Sequence, residues 1–487
     1  MERKVVVESC GCFEYPGRTA MFRPDKAYPE YMFKEHLSDG ENKVYECVRN
    51  ALARMGYDKE HFGTPEWNPL SDVIKEGDTV LIKPNLVEEI NRSGETFECM
   101  YTQPGVIAPV IDYTLLALKG NGKIIVADAP MQDCDFDKLL EQCGLNELIN
   151  FYKQYSEVNV ELRDLRAVIT KNVNGIPHYT NIDKSSVQVD LGSESEFHTL
   201  TKEQILRLRK GANDVNALRA HHNMLKHEYD ICTELLEADV LIDMPKPKLH
   251  KKAGVTISLK NMVGVNVRKE YLPHFTEGDG QTGKGDAYEY KDFWKSKRNW
   301  ANGYACAYAT KEHFFVAKIM TIVRRFFGLG VRLFSKNKDN EGAWRGNHTV
   351  SKMVVDINKI VKYADKSGKL CDKQKRKRII IADMIISGEK AGPVAPSPKN
   401  VGIIAVGEDP VCFDECIATL MGAKIEQIPT LVNAREVINQ YPLVEKGDYG
   451  RIFSNIEKWD RKLYTEILPE DTLKYKPVES WKSVFYQ

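Results

Sequence analysis

One segment of the sequence predicts how the chain folds, and it reads Asp239-Val-Leu-Ile-Asp-Met-Pro-Lys-Pro-Lys-Leu-His-Lys-Lys-Ala-Gly-Val-Thr-Ile-Ser-Leu-Lys-Asn-Met-Val-Gly264. Its apolar start, Val240–Ile242, is typical of a buried strand. Pro245 and Pro247 then end the strand, because proline has no N–H to donate to a neighbour. Basic and polar residues follow at the carboxyl end of the strand, which is where open α/β sheets bind ligands.

The basic residues after this strand predict an anion-binding site. Five cationic or titratable residues fall within seven positions, namely Lys246, Lys248, His250, Lys251 and Lys252. Such a run is ordinarily a solvated face, but apolar residues and glycines surround this one. An unperturbed histidine has a pKa of about 6.5, so His250 is the expected general acid–base.

Other candidate residues follow predicted strands elsewhere in the chain. Lys83 and Asn85 come directly after the apolar run Val80–Ile82, and the alternative for Lys83 is a local pair with Glu88 or Glu89. The expected substrate-binding residues are Lys83, Asn85, Lys246, Lys248, Thr256 and Asn261. The expected catalytic residues are His250, Lys260 and Asp383.

Acidic residues near predicted strand and helix ends supply candidate metal ligands. These are Asp128, Glu389 and Asp414. Asp128 has an equally ordinary explanation as a turn residue, whereas Asp414 lies inside a predicted helix, where no cap is needed. Mg²⁺ is usually bound through one or two carboxylates and the phosphates of a substrate, so Mg²⁺ is the candidate cofactor.

The central segment resembles the signature of the DUF362 family of bacterial and archaeal proteins. The resemblance lies in Pro-Lys-x-Lys-x-His followed by Gly-Val-Thr-x-x-Leu-Lys-Asn-Met-Val-Gly. Three further blocks occur in the expected order, at Gly77–Leu86, Ile124–Ala129 and Ile379–Gly422. The family name records an unknown function, so the resemblance implies little about mechanism. Some members carry ferredoxin-like cysteine clusters, which this sequence lacks.

Strand-like and helix-like segments alternate along the chain, which predicts an α/β fold. We expect a mostly parallel sheet flanked by helices in Rossmann-like layers, with two insertions. The expected parts are an N-terminal α/β part (1–165), a polar insertion (166–227), the central motif (228–266), a second insertion (267–345), a C-terminal α/β part (346–441) and a wrapping tail (442–487). We expect a flexible loop or lid up to Trp300 in the second insertion, and a rigid loop over the site at Ile385–Lys399.

The second insertion contains a predicted amphipathic helix at 313–336. At 100° per residue, Lys318, Arg325, Arg332 and Lys336 form one stripe, and apolar residues that include Phe326 and Phe327 fill most of the remaining face. A charge at the bilayer centre costs about 2.5 to 3.5 kcal/mol, which disfavours a membrane span. A helix lying in the membrane interface fits this pattern, and a buried helix in a core or an oligomer interface is the alternative.

The composition argues against several classes of protein. Lys+Arg and Asp+Glu both number 69, so no overall charge indicates a nucleic-acid partner. The 11 cysteines are scattered without Cys-x-x-Cys or iron–sulfur spacing, so we expect no intrinsic cluster and a reducing compartment. No signal-peptide pattern follows Met1, which predicts a cytoplasmic protein, including one peripheral on the inner face of the membrane.

These patterns predict an enzyme that acts on a phosphorylated or carboxylated substrate, lipid-linked substrates included. The class of reaction, transfer or isomerisation, is left open, and so is the oligomeric state. Two alternatives stay open. One is a redox or electron-transfer-associated protein, as the ferredoxin-bearing members imply. The other is a non-catalytic membrane-bound binding protein.

Overall fold

The computed structural model describes residues 1–18, 22–211, 215–437 and 440–486. The strands are β1 Glu2–Ser9, β2 Thr79–Pro84, β3 Lys123–Asp128, β4 Asn159–Asp164, β5 Val168–Val173, β6 Ile176–Asn181, β7 Ser186–Asp190, β8 Leu208–Arg209, β9 Glu228–Cys232, β10 Val240–Met244, β11 Lys248–His250, β12 Gly254–Thr256, β13 Phe275–Thr276, β14 Lys377–Ala391, β15 Ala395–Gly407 and β16 Tyr449–Ser454. The helices are α1 Lys43–Met55, α2 Pro104–Leu118, α3 Phe136–Cys143, α4 Leu145–Tyr155, α5 Lys202–Leu206, α6 Val215–His221, α7 Thr233–Glu237, α8 Ser258–Asn261, α9 Phe293–Thr310, α10 Phe314–Phe334, α11 Thr349–Tyr363, α12 Pro410–Leu420 and α13 Pro429–Arg435.

A mixed, mostly parallel sheet forms the centre of the molecule, which confirms the predicted α/β fold. Its order is β16-β1-β15-β14-β10-β2-β3-β4, with β11 and β12 attached beside β14. Strands β14, β10, β2, β3 and β4 run parallel, and so do β1 and β16. Among the described strands of this order, only β15 runs antiparallel to its neighbours. The sheet thus brings several strand carboxyl ends to one edge.

The direction in which the chain builds this sheet reverses at β2. The chain proceeds from β2 to β3 and β4 on one side, and later returns to place β10 and β14 on the other side. The crevice outside the carboxyl ends of β2 and β10 is therefore a topological switch point, the usual ligand position in open α/β sheets.

Side chains on alternate positions of the central strands enter two different cores. Val80 and Ile82 of β2 pack in the core that contains α1, α2 and α4. Leu81 and the neighbouring Leu241 pack on the opposite face, where α11 and α12 lie. Because strand residues alternate between faces, Lys83 follows Leu81 onto the second face.

The expected rigid loop at Ile385–Lys399 is wrong, since β14 and β15 form a long hairpin there. Prolines ordinarily argue against a strand, because they lack an N–H group. Here Pro396 and Pro398 lie in the part of β15 that extends beyond its pairing with β1, so this part is an edge that needs no N–H on its free side.

The expected loop up to Trp300 is also wrong over its last eight residues, because α9 begins at Phe293. Asp292 caps α9, and its side chain accepts a hydrogen bond from Lys295 N at 2.9 Å. Ala301, Ala305, Cys306 and Ala309 of α9 are buried, whereas the large residues Phe293, Trp300 and Tyr304 are exposed. The predicted helix at 313–336 corresponds to α10.

Two features near the chain ends were not predicted. The tail contributes β16, which pairs with β1 at one edge of the sheet. Cys10 and Cys47 form a disulfide between the end of β1 and α1, although 37 positions separate them in sequence. None of the helices in the described part of the chain is both long enough and apolar enough to cross a bilayer.

Candidate functional site

An ion pair between Lys83 and Asp128 lies at the centre of the crevice. Lys83 Nζ donates to Asp128 Oδ1 at 2.7 Å and to Asn261 Oδ1 at 3.3 Å, and both charged side chains are buried. The other Asp128 oxygen accepts a hydrogen bond from Leu86 N at 2.6 Å. The alternative of a local pair with Glu88 or Glu89 is therefore wrong, because the carboxylate comes from the neighbouring strand.

Gly264 lies directly over this ion pair. A β-carbon at this position would lie 2.0 Å from Asp128 Oδ1 and 2.7 Å from Lys83 Nζ. The carbonyl of Gly264 also accepts a hydrogen bond from Ala129 N at 3.2 Å. The backbone can approach the pair this closely only because the residue has no side chain.

Lys248 reaches the same group of residues from β11. Its Nζ donates to Asn85 Oδ1 and to the carbonyl of Met100, and Asn85 Nδ2 donates to Asn261 Oδ1 at 3.0 Å. These hydrogen-bond acceptors are neutral. Burial therefore lowers the pKa of Lys248 to about 7, and the nearby charge of Lys246 contributes to this change.

Lys246 belongs to a separate buried pair. Its Nζ donates to Asp383 Oδ2 at 2.9 Å and to the Tyr15 hydroxyl, which itself donates to Asp383 Oδ1 at 2.7 Å. Gln103 N and Ile385 N also donate to the Asp383 carboxylate. With these bonds and no exposed surface, Asp383 is placed as a structural residue, which argues against its expected catalytic role.

A second network, which sequence analysis missed, fixes the orientation of Asn261. Asn261 Nδ2 donates to Asp243 Oδ1 at 2.7 Å, and Arg378 Nη2 donates to Asp243 Oδ2 at 2.7 Å. Arg378 also donates to Ser258 Oγ at 2.8 Å. Asp243 lies in the central segment, but Arg378 belongs to a basic run that resembles a solvated edge.

The candidate metal ligands do not form one site. Asp414 accepts hydrogen bonds from Ser258 N and Leu259 N at 2.9 and 3.0 Å, so it caps α8. Glu389 accepts from Lys476 N at 3.0 Å and thereby holds the C-terminal segment. Asp128 pairs with Lys83. Across the described ranges, no group of three or more His, Cys, Asp or Glu side chains is placed to hold a metal ion.

Three lysines around the crevice, Lys252, Lys260 and Lys269, lack a hydrogen-bonding or ion-pairing partner among the described residues, and we call them the unpaired lysines. Lys252 does contact an aromatic ring, since its Nζ lies 5.3 Å from the centre of the Phe275 ring. Their Nζ atoms make no hydrogen bond or ion pair with any residue that the structure describes. All three side chains are partly buried. An ammonium group removed from water without an acidic partner is unfavourable, so this arrangement requires an explanation.

The pKa values of these lysines reflect their surroundings. Burial, together with the charges of Lys83 and Lys252, lowers the pKa of Lys260 to about 8. Burial lowers the pKa of Lys269 to about 7; Asp128 opposes this change, and Lys83 and Lys260 add to it. Burial also lowers the pKa of Lys252, while the charges of Glu341 and Asp286 oppose this change. The charge of Lys252 acts on Lys260, and the charge of Lys260 acts on Lys269, so the three amines are near one another.

Two histidines beside the unpaired lysines are neutral. His250 Nδ1 accepts hydrogen bonds from Lys252 N and Ala253 N at 3.0 and 3.1 Å, so the ring proton is on Nε2. Burial and the charge of Lys260 hold the pKa of His250 well below its usual value. Burial and the charge of Lys252 do the same to the pKa of His274. His250 is thus suited to donate a hydrogen bond, which argues against its expected general acid–base role.

Thr256 is the one predicted site residue whose fully buried side-chain polar atom has no hydrogen-bond partner in the described structure. Its Oγ1 is buried, the residue is 4% exposed, and no hydrogen-bond partner is present among the described residues. Thr256 pairs in register with Lys248, so it lies beside the lysines.

Lys269 and His274 escaped prediction because they belong to the second insertion, although Lys269 follows Lys260 by only nine positions.

Comparison with known proteins gives a family but no activity. No curated protein matches the chain. A family model described as a domain of unknown function (DUF362) matches residues 80–191 and 180–419, and these ranges contain the whole crevice. The chain belongs to the DUF362 family.

Proposed function

We propose that this protein is an enzyme that acts on a small anionic substrate, phosphorylated or carboxylated, in the lysine crevice. The observation that carries the proposal is that Lys252, Lys260 and Lys269, which are near one another, form no ion pair with any acid among the described residues. A bound phosphate or carboxylate would supply the missing negative charge. Because three such amines are near one another, a substrate with two or more anionic groups fits best.

Neutral hydrogen-bond donors support the same proposal. His250 directs its protonated Nε2 away from the backbone groups that occupy Nδ1. Thr256 Oγ1 is buried beside Lys248 without a partner among the described residues. A substrate oxygen would satisfy both groups, since a buried polar atom without a hydrogen bond is unfavourable.

Lys260 is the proposed general acid–base. With a pKa of about 8, a fraction of its amines is unprotonated at neutral pH and can accept a proton. His250 would then stabilise negative charge that develops on the substrate, as a preorganised donor does. This arrangement serves a proton transfer beside a bound anion, as in a group transfer or an isomerisation.

Calorimetric titration with citrate and inorganic pyrophosphate tests the binding site. We expect Lys260→Met to bind these probes about 10- to 100-fold more weakly than the unmodified protein, because a hydrogen bond to a charged group contributes about 1.5 to 3 kcal/mol. Lys366→Met is the matched control, since it removes the same charge at an exposed position. Equal affinities for all three proteins would contradict the proposal.

Lys260→Arg separates an enzyme from a binding protein. Arginine keeps the positive charge but stays protonated at neutral pH, so it cannot act as a base. Phosphorylated and carboxylated compounds would be incubated with the protein and followed by ³¹P and ¹H NMR. We expect turnover to fall at least 100-fold in Lys260→Arg while probe binding persists. Unchanged turnover would refute the role of Lys260, and binding without any turnover would favour the non-catalytic alternative.

A further inference from the structure

The longest helix, α10, exposes an apolar stripe along its length. The stripe follows spacings of four and three, and its members are Phe315, Ile319, Ile322, Phe326, Leu329 and Leu333. Their side chains are between 44% and 78% exposed. A helix in a core or in a closed interface would bury such a stripe, so its exposure requires a partner outside this chain.

Helix α9 widens this stripe into a surface. Phe293, Trp300 and Tyr304 are exposed along α9 at spacings of seven and four. The two helices pack closely, since a β-carbon on Gly330 of α10 would lie 2.0 Å from the Trp294 ring of α9. We call the exposed apolar residues of α9 and α10 the lipid-facing surface. Phe327 was expected to contact the membrane, but it packs partly between the helices. The centres of its ring and the Trp294 ring are 6.2 Å apart.

The charge of this hairpin identifies its partner. Residues 293–336 contain one acidic residue, Glu312, and nine basic residues: Lys295, Lys297, Arg298, Lys311, Lys318, Arg324, Arg325, Arg332 and Lys336. The whole chain is balanced at 69 basic and 69 acidic residues, so positive charge is concentrated here. Lys318, Arg325 and Arg332 are exposed beside the apolar stripe. A second copy would bring like charges together, whereas an anionic bilayer complements them.

We propose that the lipid-facing surface docks on an anionic bilayer with α9 and α10 lying in its plane. The apolar stripe would enter the acyl region, and the basic residues would contact the headgroups. Aromatic residues such as Trp300 and Tyr304 favour the interface between headgroups and acyl chains.

The inner side of the hairpin is close to the lysine crevice. Burial lowers the pKa of Lys210 to about 8, and Glu270 and Cys306 of α9 oppose this change, so Cys306 lies near this amine. The charge of Lys252 also acts on Lys210, which links α9 to the unpaired lysines. After α10, Asp339 pairs with Lys251 at 2.7 Å, next to the crevice. Resting on the proposed function, the docking assigns anionic amphiphiles as the substrate class, because it brings the crevice close to a bilayer that holds such molecules.

Vesicle co-sedimentation of the full chain tests the docking. The vesicles consist of phosphatidylcholine with or without phosphatidylglycerol. For Lys318→Gln/Arg325→Gln/Arg332→Gln we expect about 100-fold weaker binding to the anionic vesicles, since each basic residue contributes about five-fold. For Phe326→Ser/Leu329→Ser we expect weaker binding to both types of vesicle. Leu225→Ser, which changes a residue that is 90% exposed elsewhere, is the control.

Two outcomes would overturn the docking proposal. One is equal sedimentation of the charge variant, the apolar variant and the control with anionic vesicles. The other is a dimer in solution that the apolar variant converts to monomer without any effect on lipid binding, because the surface would then join two copies.

Competition for the crevice tests the substrate class. Lysophosphatidic acid, below its micelle concentration, should displace citrate from the unmodified protein, whereas neutral lysophosphatidylcholine should not. Citrate that resists displacement would overturn the amphiphile assignment. Citrate affinity that is unchanged by Lys260→Met would overturn the proposed function instead. Citrate binding should persist in the lipid-surface variants, so loss of docking alone leaves the proposed function intact.

Discussion

Lysines on the two sides of the crevice hold their charges in different ways. On the side built by the sheet, Lys83 and Lys246 pair with Asp128 and Asp383. On the side built by α8 and the residues around it, Lys252, Lys260 and Lys269 have no acidic partner among the described residues. In sequence, Lys246 and Lys260 look alike, because both lie in one basic segment. Whether a lysine is paired with an acid, and not where it lies in the motif, therefore distinguishes a structural lysine from one that can bind a ligand.

Removing an acid from the paired side should have the largest effect. Asp383→Ala leaves Lys246 buried without its carboxylate, so we expect the free energy of unfolding to fall by about 3 to 5 kcal/mol. Urea denaturation measures this change. Glu46→Ala, which breaks the exposed pair with Lys26, is the control and should change stability by less than about 1 kcal/mol. A similar, small loss in both variants would show that the buried pair is not a structural element.

Gly264→Ala should disturb the paired side by a smaller amount. The added methyl group would collide with Asp128 and Lys83, and overpacking of this kind costs about 1 to 3 kcal/mol. Thermal denaturation should therefore show a lower Tm. Gly303→Ala, in an open position of α9, should instead stabilise by about 0.5 to 1 kcal/mol. If both substitutions stabilise the protein, the close approach over Lys83 has no energetic consequence.

The unpaired side should respond to pH. Citrate is ionised throughout the neutral range, while Lys269 and Lys260 lose protons as the pH rises through about 7 and about 8. We expect citrate affinity to fall about tenfold between pH 7 and pH 9, measured by calorimetry. Affinity that is constant over this range would show that these amines do not hold the anion.

The same pKa values predict the pH dependence of stability without ligand. Lysine in an unfolded chain has a pKa of about 10.4, so between about pH 8 and pH 10 the unfolded state binds more protons than the folded state. The free energy of unfolding should therefore rise with pH in this window. Lys260→Met should reduce the slope, and an unchanged slope would contradict the lowered pKa of Lys260.

Removing an unpaired lysine should have the smallest effect and the opposite sign. Lys269→Met replaces an uncompensated amine by a side chain of similar length, so we expect a gain of about 1 kcal/mol in the free energy of unfolding. Urea denaturation under the conditions used for Asp383→Ala allows direct comparison. A loss as large as that of Asp383→Ala would remove the distinction between the two sides.

Sequence patterns predicted the part of the site that parallel strands bring together. Lys83, Asn85 and Asn261 meet as expected, since they follow or adjoin the carboxyl ends of neighbouring strands. The acids were harder to interpret, because a carboxylate near a strand end can pair, cap or bind metal with the same local sequence. Asp414 illustrates this difficulty, because it caps α8 at Ser258, which is 156 positions earlier in the sequence.

Other features escaped prediction for different physical reasons. Phe293, Trp300 and Tyr304 of α9 are exposed, so hydrophobic periodicity did not reveal the helix. The prolines of β15 are compatible with a strand only because that segment is an edge, which depends on the extent of β1. The role of His250 depends on two backbone N–H groups that fix its ring proton, and no sequence pattern encodes such a contact.

The position of β10 has a consequence for how the protein folds. β10 lies between β2 and β14, and residues 240–244 pair with residues 80–84, which are 160 positions earlier in the sequence. Pairing over such a distance in sequence is slow, because loop closure precedes the favourable contacts. Lys83 and Asp128 lie on the adjacent strands β2 and β3, but Asn261 reaches them only when β10 has paired with β2. The pairing of β10 with β2 and the assembly of the crevice are therefore the same event.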